Sequence, residues 1–192
     1  MPFIPLRPLH MVFTAAALLL VPALSVLSDA AQEHQPYAGM EGRDIKALSP
    51  ERIEGLMTGK GIGYALAAEL NHYPGPRHAL DMNRELNLSA EQNERVKTLF
   101  DGMEARAVAL GKQIIAVEKK LDHAFSSRTA TAETVEGLTG EIGRLEGALR
   151  AVHLTTHLEM AQILTPHQIK LYDQLRGYAD GGAMVHTPGM TH

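Results

Sequence analysis

The 192-residue sequence has no cysteine and no tryptophan. Without thiols there is no disulfide scaffold, no thiolate zinc finger, no iron–sulfur centre and no cysteine nucleophile. A lipoprotein-type anchor, which is attached through a cysteine, is excluded as well. Aromatic residues are scarce: five Tyr and four Phe make up 5% of the chain, too few for a platform on which nucleic-acid bases stack. A positive excess is also missing. Lys and Arg total 18 against 22 Asp and Glu, for a net charge of −4, whereas a nucleic-acid binder needs clustered basic charge. Catalysis has no foothold either. Carboxylates are scattered among helical Glu/Lys and Glu/Arg pairs, serines flank turns and caps, and no nucleophile stands in an elbow or beside an evident base. A protein that is not an enzyme is expected. No segment alternates as a strand does. What the sequence has in quantity is histidine (10), methionine (9) and glycine (17).

The first thirty residues read as an export signal. Arg7 is the only charged residue before Asp29, and an apolar run from Met11 to Leu27 is broken at Pro22. Ser28-Asp29-Ala30 then places small residues at −3 and −1 of a cleavage site. The run is short for a membrane span, so cleavage after Ala30 is expected, leaving residues 31–192 in a bacterial periplasm with no membrane insertion. Cleavage removes one basic and one acidic residue, so the net charge stays at −4. Little ATP is available there, which disfavours an ATP-driven mechanism.

Residues 31–47 are polar and aperiodic, and 31–59 read as a flexible leader carrying one short helix. Ser49 is placed to cap that helix, with Pro50 at its first position and Leu48 stapled onto Ile53. Gly59, Gly61 and Gly63 mark a bend; Gly59-Lys60-Gly61 lacks the Ser or Thr of a phosphate loop. Residues 64–70 look helical. Tyr73-Pro74-Gly75-Pro76 fits a type II turn, and a short helix is predicted at about 77–86. Two long helices follow. Val96, Leu99, Met103, Ala107, Leu110, Ile114, Val117, Leu121 and Phe125 step by three or four. So do Val135, Leu138, Ile142, Leu145, Leu149, Val152, Thr156, Met160 and Ile163. The short polar link at 126–131 makes the two antiparallel. A last helix runs from Pro166 to about Gly177, and 179–192 read as a disordered tail. The expected fold is all-α: a long antiparallel helical hairpin with short flanking helices. A hairpin this extended buries little surface alone, so a homodimer is expected.

Leu88-Ser89-Ala90-Glu91-Gln92 and Leu164-Thr165-Pro166-His167-Gln168 share one pattern. Each is a capping box: the hydroxyl takes the third amide of the helix, and the Gln side chain takes the amide of the cap. Two Leu-Ser/Thr-x-x-Gln boxes flanking a long hairpin, behind an export signal, resemble the Spy/CpxP-like periplasmic family. Its superfamily is shared with ZraP- and CnrX-like heavy-metal-resistance proteins. The resemblance covers about 60–178. The segments Glu69-Leu70-Asn71-His72-Tyr73-Pro74-Gly75-Pro76 and Leu175-Arg176-Gly177-Tyr178 are similar to a subgroup described as Spy/CpxP-like or heavy-metal-resistance proteins. The resemblance implies a cradle-like antiparallel homodimer. It also implies ATP-independent binding of unfolded periplasmic clients in envelope stress, or docking on a sensor kinase. The Spy-like cradle is basic and this chain is acidic, which leaves apolar contact rather than charge steering to hold a client.

The histidines and methionines support a different expectation, a heavy-metal-binding resistance or sensor protein. His153 and His157 stand four residues apart on one helical face, within reach of one ion, and Met160 follows three residues on. His78 and Met82 form a second such pair. Imidazole with thioether suits Cu, Zn or Ni, and methionine tilts the choice toward Cu(I). No cofactor is required by the rest of the reading. The alternative stays open: His153 adjoins the apolar stripe as an interface residue, and Met160 is core. Met184, His186, Met190 and His192 add four ligand-capable side chains near the C-terminus. Gly137, Gly140, Gly143 and Gly147 leave two readings as well, close approach of a neighbouring helix, the one preferred, or a pliable segment.

Overall fold

A computed structural model describes residues 36–178; the expected signal peptide at 1–30 and the tail at 179–192 lie outside the described residues. The described residues from Gly42 to Tyr178 belong to one compact unit. After a single 3-10 turn, Met40–Gly42, come helices α1 (Pro50–Met57), α2 (Leu66–Glu69), α3 (Pro76–Asp81), α4 (Ala90–Ser126), α5 (Ala132–Ile163) and α6 (Pro166–Arg176). Among the described residues there is no strand, and no helix is long and apolar enough to cross a membrane.

The hairpin of α4 and α5 is the frame. α4 has 37 residues and α5 has 32. Arg128, at φ 59°, turns the chain in the link between them. The apolar stripes of the two helices face each other, with Val96, Met103, Ala107, Ile114 and Val117 of α4 and Leu145, Leu149 and Met160 of α5 all buried. At the far end the pattern slips: Ala124 is buried and Phe125 is 60% exposed.

Two apolar clusters hold the short helices to this frame. In one, Ile45, Leu48 and Leu56 pack on Ala107, Ile114, Leu145 and Leu149, with Ile53 at the margin. The part of the 31–59 leader from Ile45 on is anchored to the hairpin, because Ile45, Leu48 and Leu56 are buried in this cluster while the polar residues between them stay at the surface. Ser49 caps α1 as expected, its hydroxyl accepting from the Arg52 amide, with Pro50 in the first turn. α1 lies so close to α4 that a Cβ at Gly111 would run into the carbonyl of Leu56. In the second cluster, α3 and α6 close the other end, joining Ala79, Leu86, Val96, Met160, Leu164 and Tyr172.

Two local expectations are corrected. Gly75 has φ −91° and ψ 143°, not the positive φ of a type II turn. Pro76 follows it, and the proline ring confines the preceding residue to extended backbone; Gly75 therefore caps α3, with Pro76 in the first turn. The helix predicted at 77–86 stops at Asp81, and the chain continues through turns to Asn87 at φ 49°. Around Gly137, Gly140, Gly143 and Gly147 nothing lies within 4 Å of an added Cβ. Among the described residues no helix approaches them closely, which leaves a helix of another chain or a pliable segment as the readings of these glycines.

Both capping boxes form. Ser89 Oγ accepts from the Gln92 amide at 3.1 Å and Gln92 Oε1 accepts from the Ser89 amide at 3.0 Å. Thr165 and Gln168 repeat this at 3.2 and 2.9 Å. The two motif glutamines also meet. Gln92 Nε2 donates to Gln168 Oε1 at 2.8 Å, and Gln168 Nε2 donates to Gln92 Oε1 at 3.0 Å. Their spare donor capacity reaches the carbonyls of Ile163 and Leu86, at 2.9 and 3.2 Å. Leu88 and Leu164 anchor the boxes in the second apolar cluster. The repeated motif is thus a clasp between the start of α4 and the start of α6.

Candidate functional site

Beside α5, the bend at 58–66, the start of α3 and the C-terminal end of α6 enclose a cleft of about 650 Å³. Its wall combines apolar groups (Ile62, Leu66, Phe100, Met103) with His78, His153, His157, Glu69 and Arg176. The helical spacing of His153 and His157 brings both imidazoles to this one face, 3% and 6% exposed.

His157 is held in one tautomer. Its Nδ1 lies 2.7 Å from the carbonyl of Tyr73. A carbonyl only accepts, so Nδ1 carries the proton and the Nε2 of the neutral ring keeps its lone pair. Gly75 makes room for that ring: a Cβ there would stand 3.0 Å from His157 Cε1 and 3.3 Å from Glu69 Oε2. His153 stacks on Tyr64, with centroids 5.7 Å apart and planes 9° from parallel. Its buried Nε2 has no hydrogen-bond partner. Burial, then the neighbouring His157, hold the His153 imidazole below its ordinary value. Burial, then Arg176, do the same to His78.

Tyr64 ties this face to α1. Its hydroxyl bonds to Glu146 and to Arg52, and Arg52 Nη2 reaches Glu146 Oε1 at 2.9 Å. Burial, with the Glu146 bond, pushes the Tyr64 hydroxyl up to about 12. The phenol of Tyr64 thus stands between Glu146, to which it is hydrogen-bonded, and His153, on which it stacks.

On the other side Glu69 is a hub. Its Oε1 accepts from Tyr172 Oη at 2.7 Å, Arg176 Nε at 3.2 Å and Tyr178 Oη at 3.3 Å. Its Oε2 lies 3.7 Å from His157 Nδ1. The Tyr172 hydroxyl donates to this carboxylate and accepts from the Gly75 amide at 3.1 Å. The two short segments around Glu69 and Arg176, far apart in sequence, are thus one structural unit.

Of the residues proposed as metal ligands, His78, His153 and His157 line the cleft. Met82 and Met160 do not join them: Met160 is fully buried and Met82 packs beside it in the second apolar cluster. The Met160 side chain is core, packed between α5 and the residues of α3 and α6, and Met82 is partly buried against the same cluster. Among the described residues, no group of three or more His, Asp or Glu is placed to hold an ion. Glu69, Tyr64, Gly75 and Arg176 were not singled out by residue type. The signal for Glu69, Gly75 and Arg176 lay in the two short segments that carried the family resemblance, which meet at Glu69; Tyr64 lies in neither.

A family model described as heavy-metal resistance matches residues 61–170, more than half of the chain. No curated protein and no solved structure matches.

Proposed function

The chain belongs to the heavy-metal-resistance family, which includes the Spy/CpxP/ZraP-like proteins, and from that premise we propose that it is an exported, ATP-independent binder of non-native proteins. The observation that carries this reading is the row of large apolar side chains left in solvent beside the cleft. Leu66 and Leu70 are 55% and 58% exposed, and Ile62 and Tyr73 are exposed with them. Apolar groups clustered on a surface mark a site of contact with other chains. The net charge of −4 makes apolar contact, not charge steering, the means of capture. In this reading the first thirty residues direct export to the periplasm, and the hairpin works as a homodimer.

The test is aggregation of a reduced, denatured reporter such as lysozyme, followed by light scattering without ATP. The protein is expected to suppress it, and the double variant Leu66→Ser, Leu70→Ser to lose the effect with its helical content intact. No suppression by the parent protein sinks the reading. Static light scattering at micromolar concentration checks the dimer; a monomer mass counts against it.

A second reading has its own support. His78, His153 and His157 line one cleft, and the tautomer of His157 leaves Nε2 unprotonated, the form in which imidazole binds a metal. Binding of Zn, Ni or Cu ions there would make the protein a metal-responsive member of its family. Titration calorimetry checks this; no affinity tighter than about 10 μM, a binding energy of roughly 7 kcal/mol, ends it.

A further inference from the structure

We propose that the cleft takes one aromatic side chain of a non-native protein, a tyrosine or a tryptophan, whose O–H or indole N–H donates to His157 Nε2. The proposal rests on the chaperone reading and names the side chain that its surface selects. The bond from Nδ1 to the Tyr73 carbonyl, at 2.7 Å, makes Nε2 the acceptor of the neutral ring. Among the described residues no group donates to it. Gly75 keeps that nitrogen open, since a Cβ there would stand 3.3 Å from Nε2. The backbone of Gly75, at φ −91° and ψ 143°, does not require glycine; the space beside His157 does. One turn earlier on α5, His153 adds a second imidazole, 3% exposed, whose Nε2 has no partner. The wall thus holds imidazole nitrogens that the chain itself leaves unpaired, and an unpaired buried polar atom costs free energy that a hydrogen-bonding guest removes.

The rest of the wall says what kind of group brings the donor. Ile62, Leu66, Phe100 and Met103 are apolar, and a cleft of about 650 Å³ is ample for a ring. Serine and threonine donate but bring little apolar surface. Lysine and arginine donate but would bring a second cation beside Arg176, which also lines the cleft. Tyrosine and tryptophan combine an apolar ring with a donor at its edge. The guest belongs to a polypeptide because the cleft is continuous with the exposed apolar row: Ile62 and Leu66 line it and are 41% and 55% exposed. In an extended chain, side chains two residues apart share a face. One enters the cleft while those two residues away lie on Leu66 and Leu70.

The experiment titrates acetylated, amidated Leu-Ser-Xaa-Ser-Leu peptides into the full chain after export processing, with a chelator present to keep it metal-free, and follows binding by NMR. Xaa is tyrosine, phenylalanine, O-methyltyrosine, tryptophan or tryptophan methylated on the indole nitrogen. Apolar burial alone ranks phenylalanine above tyrosine and each methylated ring above its parent. We expect the reverse. The tyrosine and tryptophan peptides should bind about two- to tenfold tighter than the analogues that cannot donate, the range of one net hydrogen bond, and should move the signals of the His157 ring and the Gly75 amide. Gly75→Ala should erase the preference, with circular dichroism checking its fold. The peptide ranking on the parent stands alone if that variant does not fold. The apolar order of affinities, or shifts that spare His157, overturns the proposal, while suppression of aggregation by the parent still upholds the chaperone reading. Absence of both suppression and peptide binding overturns the two together.

Discussion

Individual side chains decide how much each glycine and histidine matters. Gly111 lies under α1, where a Cβ meets the carbonyl of Leu56; backbone cannot step aside as a flexible side chain does. Gly111→Ala is expected to cost about 1–3 kcal/mol in urea unfolding through overpacking. The open glycines of α5 should behave in the opposite way. Gly137→Ala, Gly140→Ala, Gly143→Ala and Gly147→Ala meet nothing within 4 Å, and each should raise stability by up to about 0.8–1 kcal/mol from helix propensity. A loss of stability in these four would mean that another chain covers the face. His153 gives a pH prediction. Its imidazole is held below the ordinary value of 6.5 in the folded state, so the unfolded chain binds the proton more readily. The stability it contributes is present above pH 6.5 and is lost as the pH falls from there toward the lower folded value. Metal-free protein should melt at a lower temperature at pH 5 than at pH 7.5. His153→Phe, which keeps a ring against Tyr64, should reduce that difference.

At the scale of elements, the two Leu-Ser/Thr-x-x-Gln boxes do more than begin helices. A capping box satisfies amides of its own helix. Here the two glutamine side chains also exchange hydrogen bonds, at 2.8 and 3.0 Å, so the start of α4 and the start of α6 are one joint. Gln92→Ala and Gln168→Ala should therefore be non-additive. A double-mutant cycle in urea is expected to show a coupling of roughly 0.5–3 kcal/mol, the range for residues in one hydrogen-bond network. Additivity within about 0.3 kcal/mol would reduce the boxes to independent caps. The repeat, its helical placement and the antiparallel hairpin were legible from spacing alone, because capping and apolar period are local rules. The end of α3 and the backbone of Gly75 were less so. There two local rules compete, and the restriction that Pro76 places on its predecessor outweighs the turn preference of a Pro-Gly pair.

The whole molecule is uneven along its length. Near the clasp, α4 and α5 are flanked by α3 and α6, and by α1 farther along, so each turn finds a buried partner. Toward the link, none of residues 125–144 is buried. Local stability follows buried apolar contact. Amide hydrogen exchange should be fast at the link end of the hairpin and slowest around Val96, Leu149 and Met160. Uniform protection along both helices would show that another chain covers the link end. The histidine cleft sits at the well-packed end, where α5 is fixed from both sides. That is where a binding site can hold its side chains in place.

By itself the sequence determined the elements and what they exclude. Apolar residues at helical spacing, capping residues at their starts and a short polar link are instructions read within a few turns of chain. The missing thiols confined any metal chemistry to imidazole, thioether and carboxylate. Only the tertiary structure decided which candidates share a site. His78, His153 and His157 come to one cleft, while Met160, equally plausible by spacing, is packed into the core and Met82 lies against it, partly buried. Glu69, Tyr172, Arg176 and Tyr178 form a network that no local rule could join. The reason is physical: which side of a helix faces a cleft depends on what packs against its other side, and that partner is supplied by residues as much as a hundred positions away.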